Sequence, residues 1–131
     1  MDKPKILIID DDNFLLNMYA MKFQKENFEV FTATDGASAL QKVEEGLVPE
    51  AILLDIIMPT MDGLKFLSSV REKKLVPNAI VVILTNQTES ADIEKAKRLG
   101  IDGYIVKATT IPSEVLNEVV KILKAHKIAK S

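Results

Sequence analysis

Five short apolar runs alternate along this chain with five segments whose apolar residues recur at helical spacing, and this alternation constrains the fold more than any other feature. The strand-like runs are residues 5–9, 28–33, 51–54, 79–84 and 104–106, and the helix-like segments are residues 14–26, 37–45, 62–73, 90–99 and 112 to about 127. Strands that alternate with helices predict an α/β fold, with a parallel sheet covered by helices on both faces. Right-handed crossovers leave few possible topologies for such a sheet.

Length and composition predict a single globular domain over residues 1–131. The chain is 47% hydrophobic and 27% charged, and its core is expected at about residues 4–125, followed by a polar tail that frays after Lys124. The 17 basic and 19 acidic residues give a net charge of -2, so we expect neither nucleic-acid nor membrane binding by this domain. There are no cysteines, no signal peptide and no apolar run near the roughly 20 residues that span a bilayer, which favours a cytoplasmic protein.

Three consecutive carboxylates, Asp10, Asp11 and Asp12, follow the first strand-like run. They could begin the next helix, where acids satisfy backbone N–H groups and the helix dipole. Three neighbouring carboxylates also repel one another, and a hard divalent cation such as Mg²⁺ would remove that repulsion. The segment alone does not choose between a helix cap and a metal site.

Asp55 ends the third apolar run and is followed by a turn through Pro59 and Gly63. In open α/β sheets, this carboxyl edge of the strands is where chemistry is placed. A carboxylate there is either a turn residue or a nucleophile that attacks a phosphoryl group to form an acyl phosphate. The second possibility requires positive charge nearby, because the attack brings anionic oxygens together.

Thr85 and Lys107 end the fourth and fifth strand-like runs. Alone, Thr85 reflects ordinary strand propensity and Lys107 is a solvated charge. Beside a carboxylate cluster, the lysine would pair with Asp55 and then with a bound phosphate, to which the threonine hydroxyl would donate. The ordered set at successive strand ends is a much stronger indication of function than any single member.

These residues lie in motifs that resemble response-regulator receiver domains of the CheY-like, flavodoxin-like class. The resemblance covers about residues 4 to 125, and its most specific part is residues 55–63. It implies a doubly wound (βα)5 fold with a parallel five-stranded sheet in the order 2-1-3-4-5. The matching motifs are Ile8-Ile9-Asp10-Asp11, Leu54-Asp55-Ile56-Ile57-Met58-Pro59-Thr60-Met61-Asp62-Gly63, Leu84-Thr85 and Tyr104-Ile105-Val106-Lys107.

The resemblance implies that Asp55 takes a phosphoryl group from a histidine kinase or a phosphotransfer protein. It implies a Mg²⁺ ion held by Asp10, Asp11, Asp55 and the backbone carbonyl of Ile57, with Lys107 in contact with the phosphate. Such a domain is not a conventional enzyme, although it catalyses its own phosphorylation and dephosphorylation.

The implied switch consists of Thr85, which moves toward the phosphate, and Tyr104, which turns inward. The fourth helix, fifth strand and fifth helix then form the surface that a downstream protein reads, in a monomer or a phosphorylation-linked homodimer. The fourth helix, residues 90–99, contains few apolar residues. This fits a shifting surface and equally an ordinary peripheral helix.

The chain departs from the family pattern at several site positions. Ala108 replaces the usual proline after the lysine, so we predict a trans Lys107–Ala108 bond or a strained cis bond, with Thr109, Thr110 and Pro112 rebuilding the start of the last helix. Asn86 either restricts access or hydrogen-bonds the phosphate.

Two further departures, Ile57 and Gln87, flank the path of the attacking water in this family. Ile57 offers the water no polar partner and Gln87 lacks the charge often found there, so we expect slow dephosphorylation.

Three other classes of function make different demands on the sequence. A phosphatase of the haloacid-dehalogenase type needs a second aspartate at position 57, where this chain has isoleucine, and no glycine fingerprint of a P-loop or dinucleotide site follows any strand. The remaining alternative is a receiver-like interaction module that signals without phosphorylation. The sequence is compatible with either a stand-alone receiver or one cut from a longer protein.

Overall fold

In the computed structural model of this protein, the described residues are 3–56, 63–85 and 91–130. The β-strands are β1 (Lys5–Ile9), β2 (Glu29–Ala33), β3 (Ala51–Asp55), β4 (Ile80–Thr85) and β5 (Gly103–Val106). The α-helices are α1 (Asn13–Lys25), α2 (Gly36–Glu44), α3 (Gly63–Glu72), α4 (Ala91–Leu99) and α5 (Pro112–Lys130). All four strand pairings are parallel and the sheet order is β2-β1-β3-β4-β5, which confirms the predicted fold.

The centre of the sheet is apolar on both faces because helices cover both sides of it. Every residue of β3 and β4 is buried. Successive strand side chains point to opposite faces and so divide the core in two. Leu54 and Phe66 belong to the cluster beneath α2, α3 and α4, whereas Leu53 and Phe23 belong to the cluster beneath α1 and α5.

The residues that α1 buries differ in part from those that its apolar spacing suggests. The apolar residues at helical spacing are Leu15, Met18, Tyr19 and Phe23, whereas the buried residues are Leu16, Tyr19 and Phe23, and Leu15 packs partly buried against the same core. Helical spacing permits both stripes, because apolar residues occur on several sides of this helix. Contact with the sheet decides between them, and periodicity alone does not.

The last helix, α5, continues to Lys130, beyond the predicted end near Lys127. Two contacts hold this part of the helix against the amino ends of the strands. The strand-end aspartates lie at the opposite end of the sheet. The Lys127 Nζ lies 3.0 Å from an Oε1 of Glu50, and the His126 Nε2 lies 3.1 Å from the carbonyl oxygen of Asn78. Within the described residues, no helix has both the length and the apolar composition required to span a bilayer.

Candidate functional site

The sheet brings the predicted site residues together at the carboxyl edge of the strands. The register aligns Ile9 with Leu54, Asp55 with Leu84, and Thr85 with Val106. Asp10 follows β1 and Lys107 follows β5, so Asp10, Asp55, Thr85 and Lys107 occupy the ends of adjacent strands. This is the edge at which open α/β sheets bind ligands.

Asp10, Asp11 and Asp55 form an acidic cluster in which one carboxylate oxygen from each residue lies within 4.8 Å of the others. Asp10 is fully buried and Asp55 nearly so, whereas Asp11 faces solvent. Three convergent carboxylates are hard oxygen ligands of the kind that Mg²⁺ prefers, and the exposed Asp11 leaves one side of the cluster open to solvent. The donor set therefore fits Mg²⁺.

Asp12 has a different role from its two neighbours. Its Oδ1 accepts a hydrogen bond of 3.1 Å from the backbone N–H of Leu15, which caps the N-terminus of α1. The Asp12 N–H in turn donates to Oδ1 of Asp10 at 2.9 Å. The sequence allowed this acidic segment to be a helix cap or a metal site. In the structure, Asp12 caps the helix, and Asp10 and Asp11 belong to the acidic cluster.

Lys107 links the cluster to the end of β5. Its Nζ lies 3.1 Å from Oδ2 of Asp10 and 3.1 Å from Oδ2 of Asp55. Burial by itself lowers the pKa of Lys107, but the carboxylates of Asp55 and Asp10 together outweigh burial and raise it. The ammonium group is therefore charged at neutral pH and counters the two most buried carboxylates of the site.

Tyr19 is a neighbour of the site that the sequence motifs did not indicate. Its side chain is buried on α1, and burial raises the pKa of the phenol most strongly. The Lys107 charge lowers this pKa, and the charges of Asp10 and Asp55 raise it, which places the ring within electrostatic reach of the acidic cluster. The only sequence signal was a hydroxyl on an otherwise apolar helix face.

The two predicted switch residues lie in different environments. Thr85 is buried at the end of β4, beside the acidic cluster. Tyr104 is 41% exposed on β5, and the Lys97 Nζ from α4 lies 5.5 Å from the centre of its ring. Tyr104 thus occupies an outward position in which a cation–π contact joins β5 to α4.

Three of the predicted site residues, Ile57, Asn86 and Gln87, lie outside the described residues. The described chain contains no cis peptide bond, so the Lys107–Ala108 bond is trans, the first of the two predicted geometries. Lys107 begins a single 3₁₀ turn, Lys107–Thr109, between β5 and α5.

Comparisons with known proteins agree with this geometry. The sequence model of the response regulator receiver domain matches residues 6–121. The chain is 33% identical over 125 residues to the alkaline phosphatase synthesis transcriptional regulatory protein PhoP of Bacillus subtilis, covering 95% of this chain and 50% of that protein. It is also 33% identical over 123 residues to the transcriptional regulatory protein ResD of Bacillus subtilis, covering 94% of this chain and 49% of that protein.

The chain spans about half the length of these curated relatives. Among solved structures, the chemotaxis protein CheY4 of Vibrio cholerae superimposes with a TM-score of 0.83 at 28% identity, covering 92% of this chain and 98% of that one. The family match covers most of this chain, and both the strand order and the acidic cluster fit it. The chain therefore belongs to the response regulator receiver domain family of two-component systems.

Proposed function

We propose that Asp55 accepts a phosphoryl group from a phosphohistidine of a sensor histidine kinase or phosphotransfer protein, in a Mg²⁺-dependent phosphorelay. The observation that carries this proposal is the position of Lys107, whose ammonium group lies 3.1 Å from carboxylates of both Asp10 and Asp55. A permanent cation next to a strand-end aspartate supplies the charge that phosphoryl transfer to a carboxylate requires.

In the proposed reaction, a carboxylate oxygen of Asp55 forms a bond to phosphorus. The P–N bond of the phosphohistidine breaks, and its electron pair returns to the imidazole nitrogen. Lys107 leaves the Asp55 oxygen and pairs with an oxygen of the transferred group, as a charged donor next to a newly formed dianion. Thr85, at the adjacent strand end, would donate its hydroxyl to another phosphoryl oxygen.

Asp10, Asp11 and Asp55 would hold the Mg²⁺ ion, and the carbonyl of Ile57 is the expected fourth protein ligand. When bound, Mg²⁺ supplies charge neutralisation at the oxygens of the transferring group. The exposed side of the cluster, at Asp11, is the side from which both metal and donor would enter. The predicted slow loss of the phosphoryl group concerns Ile57 and Gln87 and stays a prediction.

An exposed apolar stripe on α1 supports docking of a protein donor beside Asp55. Phe14 is 72% exposed and Met21 is 58% exposed, and the half-buried Met18 lies between them at helical spacing. This stripe begins two residues after the Asp12 cap, next to the acidic cluster in sequence. Receiver domains interact with histidine kinases, and large exposed apolar side chains on the helix that follows the acidic cluster favour a protein over a small-molecule donor.

The proposed output is a change in the surface formed by α4, β5 and α5, which a downstream protein reads. Phosphorylation would draw Thr85 toward the phosphate and turn Tyr104 inward, away from its contact with Lys97. The protein acts as a monomer or as a phosphorylation-linked homodimer, without contacting nucleic acid through this domain.

The test is incubation with a small acyl-phosphate donor, with and without Mg²⁺, followed by intact-mass measurement. We expect a Mg²⁺-dependent gain of one phosphoryl group that is absent from Asp55→Asn. Asp35→Asn is the matched control, because Asp35 caps α2 and asparagine caps equally well. If the wild-type protein gains no mass under any condition, the receiver acts as a binding module without phosphorylation.

A further inference from the structure

The turn that aims Lys107 at the acidic cluster has no proline to fix its backbone. Ala108 follows the lysine through a trans bond, and alanine leaves the backbone dihedrals free where proline would restrict them. The turn is nevertheless defined well enough for the Lys107 ammonium to contact two carboxylates at the same distance. A side-chain hydrogen bond across the turn can supply the restraint that proline would give.

Thr110 makes a side-chain bond across this turn. Its Oγ1 donates to the carbonyl oxygen of Val106 at 2.7 Å, the optimal length for a hydroxyl donor. Val106 is the last residue of β5 and pairs with Thr85, so its carbonyl belongs to the rigid edge of the sheet. The bond closes a ring around Lys107, Ala108 and Thr109.

Thr109 offers a weaker version of the same bond. Its Oγ1 lies 3.4 Å from the same Val106 oxygen, at the limit of a hydrogen bond, and its side chain is exposed. The hydroxyls of Thr109 and Thr110 thus approach the same carbonyl oxygen, but the hydrogen bond from Thr110 is much shorter. Thr109 is therefore a matched internal control for Thr110.

The chain that follows Thr110 is also fixed, by the start of α5. Pro112 begins α5, and the Glu114 side chain accepts a hydrogen bond of 3.0 Å from the backbone N–H of Ile111. The backbone N–H of Glu114 returns a bond of 2.9 Å to the carbonyl of Ile111. A glutamate at this helix position and a proline at the first one define where the helix begins. Thr110 therefore joins two rigid elements, β5 and α5.

We infer that Thr110 is a positioning residue for phosphoryl transfer, whose hydroxyl fixes the turn that carries Lys107 to Asp10 and Asp55. It takes the role that a restricted proline backbone would otherwise have at position 108. The inference rests on the proposed function for its kinetic consequence. The placement of Lys107 itself stands independently of that function.

The kinetic test compares Thr110→Val, which keeps the shape of threonine but lacks the hydroxyl, with Thr110→Ser, which retains it. With a small acyl-phosphate donor and saturating Mg²⁺, we expect Thr110→Val to lower the maximal phosphorylation rate by about 5-fold, the effect of one ordinary hydrogen bond. The donor concentration at half-maximal rate should not change. Thr110→Ser should restore most of the rate, and Thr109→Val should remain within about 2-fold of the wild type.

A double-mutant cycle distinguishes positioning of Lys107 from a general loss of structure. In a Lys107→Met background, Thr110→Val should cause no further decrease, because the side chain it positions is gone. Equal decreases in both backgrounds, or wild-type rates for Thr110→Val, would overturn the inference and leave the proposed function intact. Far-ultraviolet circular dichroism of every variant establishes that it is folded.

A second measurement does not depend on phosphorylation. The ¹⁵N–¹H signal of the Lys107 ammonium group is visible at neutral pH only when the group is held and protected from exchange. We expect this signal in the wild type and in Thr110→Ser, and its broadening or loss in Thr110→Val. If the wild-type protein shows the signal but accepts no phosphoryl group, the proposed function fails and the positioning of Lys107 stands. An unchanged signal in Thr110→Val would overturn the inference even where the valine variant is too unstable for kinetics.

Discussion

Two of the three clustered carboxylates share one cation, and this sharing governs the chemistry of the site at the scale of single residues. Lys107 contacts Oδ2 of Asp10 and Oδ2 of Asp55, while Asp11 faces solvent. The lysine therefore lies between a carboxylate of the proposed metal site and the proposed nucleophile. Phosphorylation would supply it with a better partner than either carboxylate, since a phosphoryl group carries more charge.

Tyr19 provides a test of the electrostatics beneath this cluster. Its pKa is raised, mainly by burial, so the folded state holds the phenol proton more tightly than the unfolded chain, whose tyrosine pKa is about 10. The corresponding stability is present below about pH 10 and is lost as pH rises toward the folded pKa. We expect the free energy of unfolding of the wild type to fall relative to that of Tyr19→Phe by up to about 1.4 kcal/mol per pH unit above pH 10.

Urea denaturation of both proteins between pH 8 and about pH 11 measures this difference. The chain contains one other tyrosine, the half-exposed Tyr104, and Tyr104→Phe is the control for loss of a phenol at the surface. Parallel pH profiles for the wild type and Tyr19→Phe would contradict the raised pKa.

The predicted slow loss of the phosphoryl group can be tested at Ile57. If its apolar side chain leaves the attacking water without a partner, Ile57→Asn should accelerate loss of the phosphoryl group from Asp55, by several-fold for one added hydrogen bond. Decay of the phosphorylated mass after removal of the donor measures the rate. Ile57→Val, which keeps the position apolar, is the control, and an unchanged or slower rate in Ile57→Asn would refute the hypothesis.

At the scale of secondary-structure elements, α3 meets the end of β3 at a close backbone contact. A Cβ atom added to Gly63, the first residue of α3, would lie 2.5 Å from the carbonyl oxygen of Asp55 and 2.9 Å from Cα of Ile56. Both neighbours are backbone atoms, which do not yield as a flexible side chain would. The helix can approach the proposed nucleophile this closely only because residue 63 is glycine.

Gly63→Ala should therefore displace either α3 or the strand end that carries Asp55. We expect a destabilisation of about 1–3 kcal/mol, typical of overpacking, together with slower phosphorylation of Asp55. Thermal unfolding and the acyl-phosphate assay measure the two effects. The α3–β3 contact would be excluded as a constraint if Gly63→Ala retained both wild-type stability and rate.

The structure also shows which properties of these elements were predictable from sequence. Strand ends were predictable, because polar residues follow apolar runs at Asp10, Asp55 and Lys107, and parallel strands bring such ends together. The buried face of α1 was not, since apolar residues on several sides make its periodicity ambiguous. The hydrogen bond from Thr110 to Val106 was not predictable in detail either, because it depends on the path of the turn rather than on residue type.

At the scale of the whole molecule, the acidic cluster would couple the proposed Mg²⁺ binding to folding. Its carboxylates converge only when β1 and β3 are paired, so Mg²⁺ should bind the folded state and stabilise it by RT ln(1 + [Mg²⁺]/Kd). At a concentration 100 times the dissociation constant, this amounts to about 2.7 kcal/mol. The same convergence makes the metal-free cluster repulsive, and Lys107 compensates only Asp10 and Asp55 among the contacts described for it.

Asp11 is the residue that separates these two effects, because it adds negative charge and a proposed metal ligand without a described contact to Lys107. We expect Asp11→Asn to be more stable than the wild type in a metal chelator, since one source of repulsion is gone, yet to gain less stability from Mg²⁺. Urea denaturation in chelator and in Mg²⁺, with ionic strength matched by NaCl, measures both quantities, and Asp35→Asn should gain as much as the wild type. An equal Mg²⁺ increment in Asp11→Asn and in the wild type would show that the ion is held without Asp11. If Asp11→Asn is more stable than the wild type in chelator but less stable in Mg²⁺, this domain gives up stability at the edge of its sheet in order to keep a site for the cation.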